Sequence, residues 1–200
     1  MVDENDKHKR VMQALKDKVD ASVVRADQDK SLIVLLTGDG KGKSTSAFGM
    51  VMRSLGYGHR VGVVQFIKGV QLSGEELYLR AHHPELPFYQ MGTGFTWDTQ
   101  DRNADKVAAE KTWAFAENLL RDASMQLLVL DELTYMLAFS YLDEDRVINA
   151  LLQRPAQQSV VITGRGGGTR LREIADTVAE IQDVKHAFRA GVRARPGIDL

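Results

Sequence analysis

"LIVLLTGDGKGKSTSAFGM", residues 32–50, decides the fold. Its first five residues, 32–36, are all apolar and read as a buried β-strand. Three glycines and two lysines then break the apolar run. A helix is expected from Lys43 to Leu55, with Gly56 and Gly58 ending it. Strand, glycine-rich turn, Gly-Lys-Ser and helix are the setting of a phosphate-binding P-loop. The glycines let the backbone approach phosphate oxygens and turn its N–H groups inward. The new helix adds its unpaired N–H groups and positive dipole end at the same place. The candidate phosphate-binding residues are Gly38, Asp39, Gly40, Lys41, Gly42, Lys43, Ser44 and Thr45. Lys43 supplies a mobile cation and Ser44 a hydroxyl for Mg²⁺. The loop is a variant. Gly38 and Gly42 enclose three residues rather than the usual four, and Thr37 stands where the first glycine is expected.

Outward from the loop, apolar strands alternate with helices. Strands are expected at 60–67, 88–91, 127–133, 159–163 and 178–184. Helices are expected at 73–82, from Asp101 to Arg121, once or twice before Gln153, and from Thr169 to Asp176. Apolar strands between helices imply an α/β fold of the P-loop NTPase-like kind: a mostly parallel central sheet with helices on both faces. With no linker or repeat in sight, residues 30–200 read as one domain. Before it, residues 1–26 form a charged amphipathic helix, with Val11, Leu15, Val19 and Val23 on one stripe. That helix suits a solvated element packed on the domain, and equally an arm covering a site.

A P-loop takes a carboxylate from the end of another buried strand to hold Mg²⁺. "LLVLDEL", 127–133, offers Asp131 and Glu132 after four apolar residues. The same pair would also serve as the acidic start of the next helix, and the two readings are compatible. Arg165, in "TGRGGG", follows another strand and belongs at the carboxyl edge of the sheet, where open α/β folds bind ligands. The glycines beside it suit close approach to a ligand and equally suit a flexible turn.

The chain has 200 residues, 26 Lys+Arg against 27 Asp+Glu, and a formal net charge of −1. No global push toward nucleic acid or anionic membrane results. It has no cysteine, which excludes disulfides and thiolate chemistry. No apolar run is long enough for a membrane span, and the charged N-terminus is unlike a secretory signal, so the expected location is the cytoplasm. The five histidines show no metal-ligand spacing. The basic tail after residue 184 reads as an irregular, solvated terminus.

The less usual feature is "TGFTWDTQ", 93–100, where Phe95 and Trp97 sit among Gly and Thr. Two such aromatics plug a core or, exposed on a loop, form an apolar wall for a flat ligand. Together with "TGDGKGKST", "VGVVQFIKG", "LVLDELTY", "ITGRG", "ADTVAE" and "VKHAF", this segment resembles the P-loop type of ATP:cob(I)alamin (corrinoid) adenosyltransferase. The segments follow in order through most of the chain, which makes the resemblance far more specific than a P-loop alone. Two departures stand in the loop: Asp39 where the family has Asn, and Ser44 where it has Thr.

The resemblance implies a reaction and a division of roles. Cob(I)alamin or a related corrinoid attacks the ribose C5′ of ATP, adenosylcobalamin forms, and triphosphate leaves whole. Ser44 and Glu132, with Asp131 beside them, are then the metal-site candidates. Arg53, one helix face beyond Lys43, would reach a terminal phosphate, and Arg165 the nucleotide. Phe95 and Trp97 would occupy the lower face of the corrin ring and keep the lower cobalt ligand off. The N-terminal helix would close over the corrinoid. A reduced flavodoxin-like protein is the implied electron donor and a homodimer the implied assembly; neither nucleic acid nor a membrane is a partner. The alternative is a generic P-loop NTPase or small-molecule kinase, which would release ADP.

Overall fold

The computed structural model describes residues 4–67, 72–92, 101–166 and 168–199. The chain divides into two compact units, 1–30 and 31–200. The first carries helix α1 (Glu4–Arg25), which buries none of its residues; Val11, Leu15, Val19 and Val23 are each more than half exposed.

The second unit follows the alternation of the sequence. Its elements are β1 (Ile33–Thr37), α2 (Lys43–Gly56), β2 (Val61–Gln65), α3 (Gly74–His82), β3 (Phe88–Gln90), α4 (Arg102–Leu120) and β4 (Leu127–Asp131). Then come α5 (Leu133–Ala138), α6 (Glu144–Leu152), β5 (Ser159–Thr163), α7 (Gly168–Ile174), β6 (Thr177–Glu180) and a 3₁₀ turn, Ala187–Ala190. Side-chain caps mark several helix starts: Ser73 accepts from Glu76 N, Asp101 from Asn103 N and Ala104 N, and Asp143 from Arg146 N.

Among the described residues the strands form one six-stranded sheet in the order β3-β2-β4-β5-β1-β6, every neighbour parallel. The period of two sorts each strand between two cores. Leu128 and Leu130 of β4 join a cluster with Trp113 of α4, Met136 of α5, Leu151 of α6 and Leu171 of α7. Leu127 and Val129 join a second cluster with Phe48 and Val51 of α2 and Leu79 of α3. Helices therefore cover both faces, as strands apolar on both sides require. Because the strands are parallel, their carboxyl ends share one edge. There every strand ends on a polar residue: Thr37, Gln65, Gln90, Asp131, Thr163 and Glu180. Thr37, Gln65, Asp131 and Thr163 are buried.

Four strands are shorter than their sequence suggests. β2 stops at Gln65, β3 at Gln90 and β6 at Glu180. β4 stops at Asp131 because Glu132 turns the chain with φ 62°, the left-handed region, so 132–133 belong to a turn and a helix rather than a strand.

Candidate active site

The loop after β1 is shaped by its glycines. Gly38 has φ 94° and Gly42 φ 118°, both in the left-handed region. Gly40 sits so close to the chain after β6 that its N–H donates to Ile181 O at 2.7 Å. A Cβ on Gly40 would stand 2.5 Å from Gln182 O. α2 starts at Gly42 with no side-chain cap, so its first N–H groups have no partner within the helix. Lys43 is buried, and its Nζ donates to Gly38 O and Gly40 O, both at 2.7 Å. Burial lowers the Lys43 pKa from its ordinary 10.5; the Glu132 carboxylate opposes that shift, and Arg165 adds to it.

The opposite wall comes from the ends of β4 and β5. Both oxygens of buried Asp131 are taken: Oδ1 accepts from Thr163 Oγ1 at 2.6 Å and Oδ2 from Gln65 Nε2 at 2.8 Å. Thr163 Oγ1 in turn accepts the backbone N–H of Glu132 at 2.9 Å. The loop after β5 is tied at two carbonyls. Thr37 Oγ1 donates to Gly166 O, and Thr134 Oγ1 donates to Arg165 O at 3.0 Å. A Cβ on Gly164, which has φ 142°, would lie 2.0 Å from Thr134 Oγ1, so only glycine fits. The backbone beside Arg165 is therefore held, while the guanidinium is exposed, its Nε 4.0 Å from Asp39 Oδ1. That cation offsets part of the charge Asp39 adds to the loop.

A cavity of about 1410 Å³ lies between the loop and this wall. Asp39, Gly40, Lys41, Gly42, Lys43, Ser44, Thr45, Asp131, Glu132 and Arg165 all face it. Arg53 is not brought in: it lies in the last turn of α2, about 15 Å along the axis from Lys43 at 1.5 Å per residue. Phe95 and Trp97 lie outside the described residues. Residues 187–199 of the tail are exposed, as expected of a solvated terminus, yet the tail is placed at the site. His186, Phe188, Arg189, Ile198 and Asp199, with Asp183 before them, line the same cavity, and Asp199 Oδ1 meets Lys41 Nζ at 3.2 Å. Parallel pairing of β6 with β1 delivers the chain beside the P-loop, so the tail leaves from the site itself. Tyr135, also in the wall, has its pKa raised by burial first and then by Glu132.

Sequence reasoning passed over Gln65, Thr163, Thr37 and Thr134. A signal was present: "IVLLT", "VGVVQ", "LLVLD" and "SVVIT" each close an apolar run on a polar residue, and all four ends are buried. Among the described residues no group of three or more His, Cys, Asp or Glu side chains could hold a metal ion by itself. Also among them, no helix is long and apolar enough to cross a membrane.

Comparison with known proteins agrees with this picture. A profile of the family "ATP:corrinoid adenosyltransferase BtuR/CobO/CobP" matches residues 29–200. The chain is 49% identical over 195 residues to "Corrinoid adenosyltransferase" of Escherichia coli (strain K12), covering 98% of each chain. It is 48% identical to "Corrinoid adenosyltransferase CobA" of Salmonella typhimurium, again with 98% of each covered. For "Corrinoid adenosyltransferase" of Pseudomonas aeruginosa the identity is 46% over 198 residues, 99% of this chain and 98% of that one. Among solved structures, the flagellar accessory protein FlaH from Methanocaldococcus jannaschii superposes with TM-score 0.51 at 15% identity, covering 75% of this chain and 70% of that one, a likeness of fold alone.

Proposed function

This chain belongs to the ATP:corrinoid adenosyltransferase BtuR/CobO/CobP family, and from that premise we propose how the residues at the sheet edge divide its work. The chain is a transferase that carries the adenosyl group of ATP to a corrinoid. In the reaction we assign, the electron pair on reduced cobalt attacks the ribose C5′. A cobalt–carbon bond forms, the C5′–oxygen bond breaks, and triphosphate leaves with that bonding pair. Such a displacement asks the protein for position and for charge on the leaving group. Lys43, Lys41 and the open N–H groups of α2 hold the triphosphate. Arg165, tethered through its loop, lies against the nucleotide.

A divalent cation fits this wall. The Ser44 hydroxyl and the Glu132 carboxylate both line the cavity, and oxygen donors of this kind suit Mg²⁺, which takes its other ligands from phosphate and water. When bound, Mg²⁺ would offset negative charge on the departing triphosphate. Phe95 and Trp97 are assigned to the lower face of the corrin ring, where they keep water and the displaced base off cobalt.

The observation that carries the reading is the convergence of Lys43, the uncapped start of α2 and Glu132 on one cavity. At about 1410 Å³ it exceeds the roughly 300–1,000 Å³ usual for a single small ligand. The test is anaerobic. Protein, Mg²⁺, ATP and chemically reduced cob(I)alamin should give a light-sensitive alkylcobalamin spectrum and one triphosphate per adenosyl transferred. ADP and phosphate over an unchanged corrinoid would overturn the reading. Run in parallel from cob(II)alamin with a reductant, Trp97→Ala should lose more activity than it does from cob(I)alamin. Equal losses would remove the lower-face role.

A further inference from the structure

Asp131 and Glu132 are adjacent in sequence, and both were candidates for the cation. The structure treats them differently. Asp131 is 2% exposed, and each of its carboxylate oxygens already accepts a side-chain hydrogen bond: Thr163 Oγ1 at 2.6 Å on one, Gln65 Nε2 at 2.8 Å on the other. The first partner is relayed onward. The Thr163 hydroxyl has one proton, which it gives to Asp131, so its lone pairs face the Glu132 N–H at 2.9 Å. That N–H belongs to a non-glycine residue at φ 62°, a left-handed conformation that L-residues rarely adopt. The polar chain Gln65–Asp131–Thr163 thus ends on the backbone bond that aims Glu132. The sheet makes it possible: Gln65 and Asp131 are register partners, and Leu130 pairs with Ile162 one residue before Asp131 and Thr163.

We propose that Asp131 is a positioning residue and not a metal ligand, and that Gln65 and Thr163 complete a buried relay holding Glu132 in its left-handed turn toward the cation. This rests on the assignment of Glu132 to the cation. It has a consequence that a ligand role does not share. A metal ligand needs its negative charge, whereas a relay needs only the correct donors and acceptors. Asn at position 131 can accept from Thr163 through its oxygen. Its NH₂ group can be accepted by Gln65 after a half-turn of that amide, which carries both kinds of atom.

The experiment measures Mn²⁺ binding in the presence of ATP, by the electron paramagnetic resonance signal of free Mn²⁺. A thermal melt of each variant checks that it is folded. Glu132→Gln should weaken binding strongly, and Asp131→Asn should stay within a few-fold of the parent. Thr163→Val should weaken binding about tenfold, at the lower end of what outer partners of metal ligands contribute, and Thr163→Ser should restore it. Asp131→Asn binding as poorly as Glu132→Gln would make Asp131 a ligand and overturn the relay. So would Thr163→Val binding like the parent, or Thr163→Ser failing to rescue. Either result leaves the cation assignment standing. Parent-like Mn²⁺ binding by Glu132→Gln would instead remove that assignment, and the relay with it.

Discussion

Lys43 shows how one residue joins the fold to the chemistry. Two of its three ammonium protons are spent on the carbonyls of Gly38 and Gly40, so the side chain braces the loop it serves. Lys43→Ala should weaken ATP binding at least tenfold, since a hydrogen bond to a charged group contributes about 1.5–3 kcal/mol. Parent-like affinity in a titration would remove Lys43 from the site. Its lowered pKa, set first by burial, adds a pH dependence. The protonated form binds triphosphate, and bound triphosphate favours protonation. Binding therefore takes up a proton once the pH passes the lowered pKa, and affinity falls as pH rises, starting below the ordinary lysine value of 10.5. Calorimetry in buffers of different ionisation enthalpy should detect that uptake. Flat affinity and no uptake up to pH 10 would contradict it.

Between elements, the contact that matters is the P-loop against the segment leaving β6. Gly40 donates to Ile181 O, and its missing Cβ makes room for Gln182. An added methyl would press on backbone atoms 2.5 and 2.6 Å away, which cannot swing aside as a side chain can. Gly40→Ala should cost about 1–3 kcal/mol, the range for overpacking a close contact. Gly42→Ala meets nothing within 4 Å, but it carries an L-residue at φ 118° and should cost about 1 kcal/mol from strain alone. Urea melts separate the two. Equal stability of Gly40→Ala and the parent would mean the segment after β6 is not seated on the loop.

Across the 31–200 unit, stability and function use different parts of the same strands. The middles of β2, β4 and β5 are apolar on both faces and anchor the two cores, while their last residues hold the polar network. Trp113, fully buried against Phe66 with ring centroids 6.4 Å apart, is the largest side chain in the first core. Trp113→Ala should cost about 3–5 kcal/mol through lost burial and the cavity left behind. Over a chain of this size that lowers Tm by roughly 10 °C. A melt within a degree or two of the parent would show that this core is not where the unit's stability lies.

Much of the site was legible without coordinates. The P-loop is a local object: its glycines, its lysine and the helix that follows are contiguous, and their conformations depend on near neighbours. The parallel sheet followed from strands apolar on both sides, and the Asp131–Glu132 pair from where an apolar run stopped. Other features depend on residues distant along the chain. That both carboxylate oxygens of Asp131 are taken was decided by Gln65 and Thr163, which reach it only once β2, β4 and β5 lie side by side. Arg53 was placed at a terminal phosphate by the resemblance, but helical rise carries it to the far end of α2, outside the cavity lining. The tail is exposed, as its composition suggests, but its place beside Lys41 comes from β6 pairing with β1. Backbone conformation at glycines and apolar periodicity are short-range properties, so the sequence alone determined them. Which polar groups meet at the sheet edge is a matter of strand order and register, and only the tertiary structure decided that.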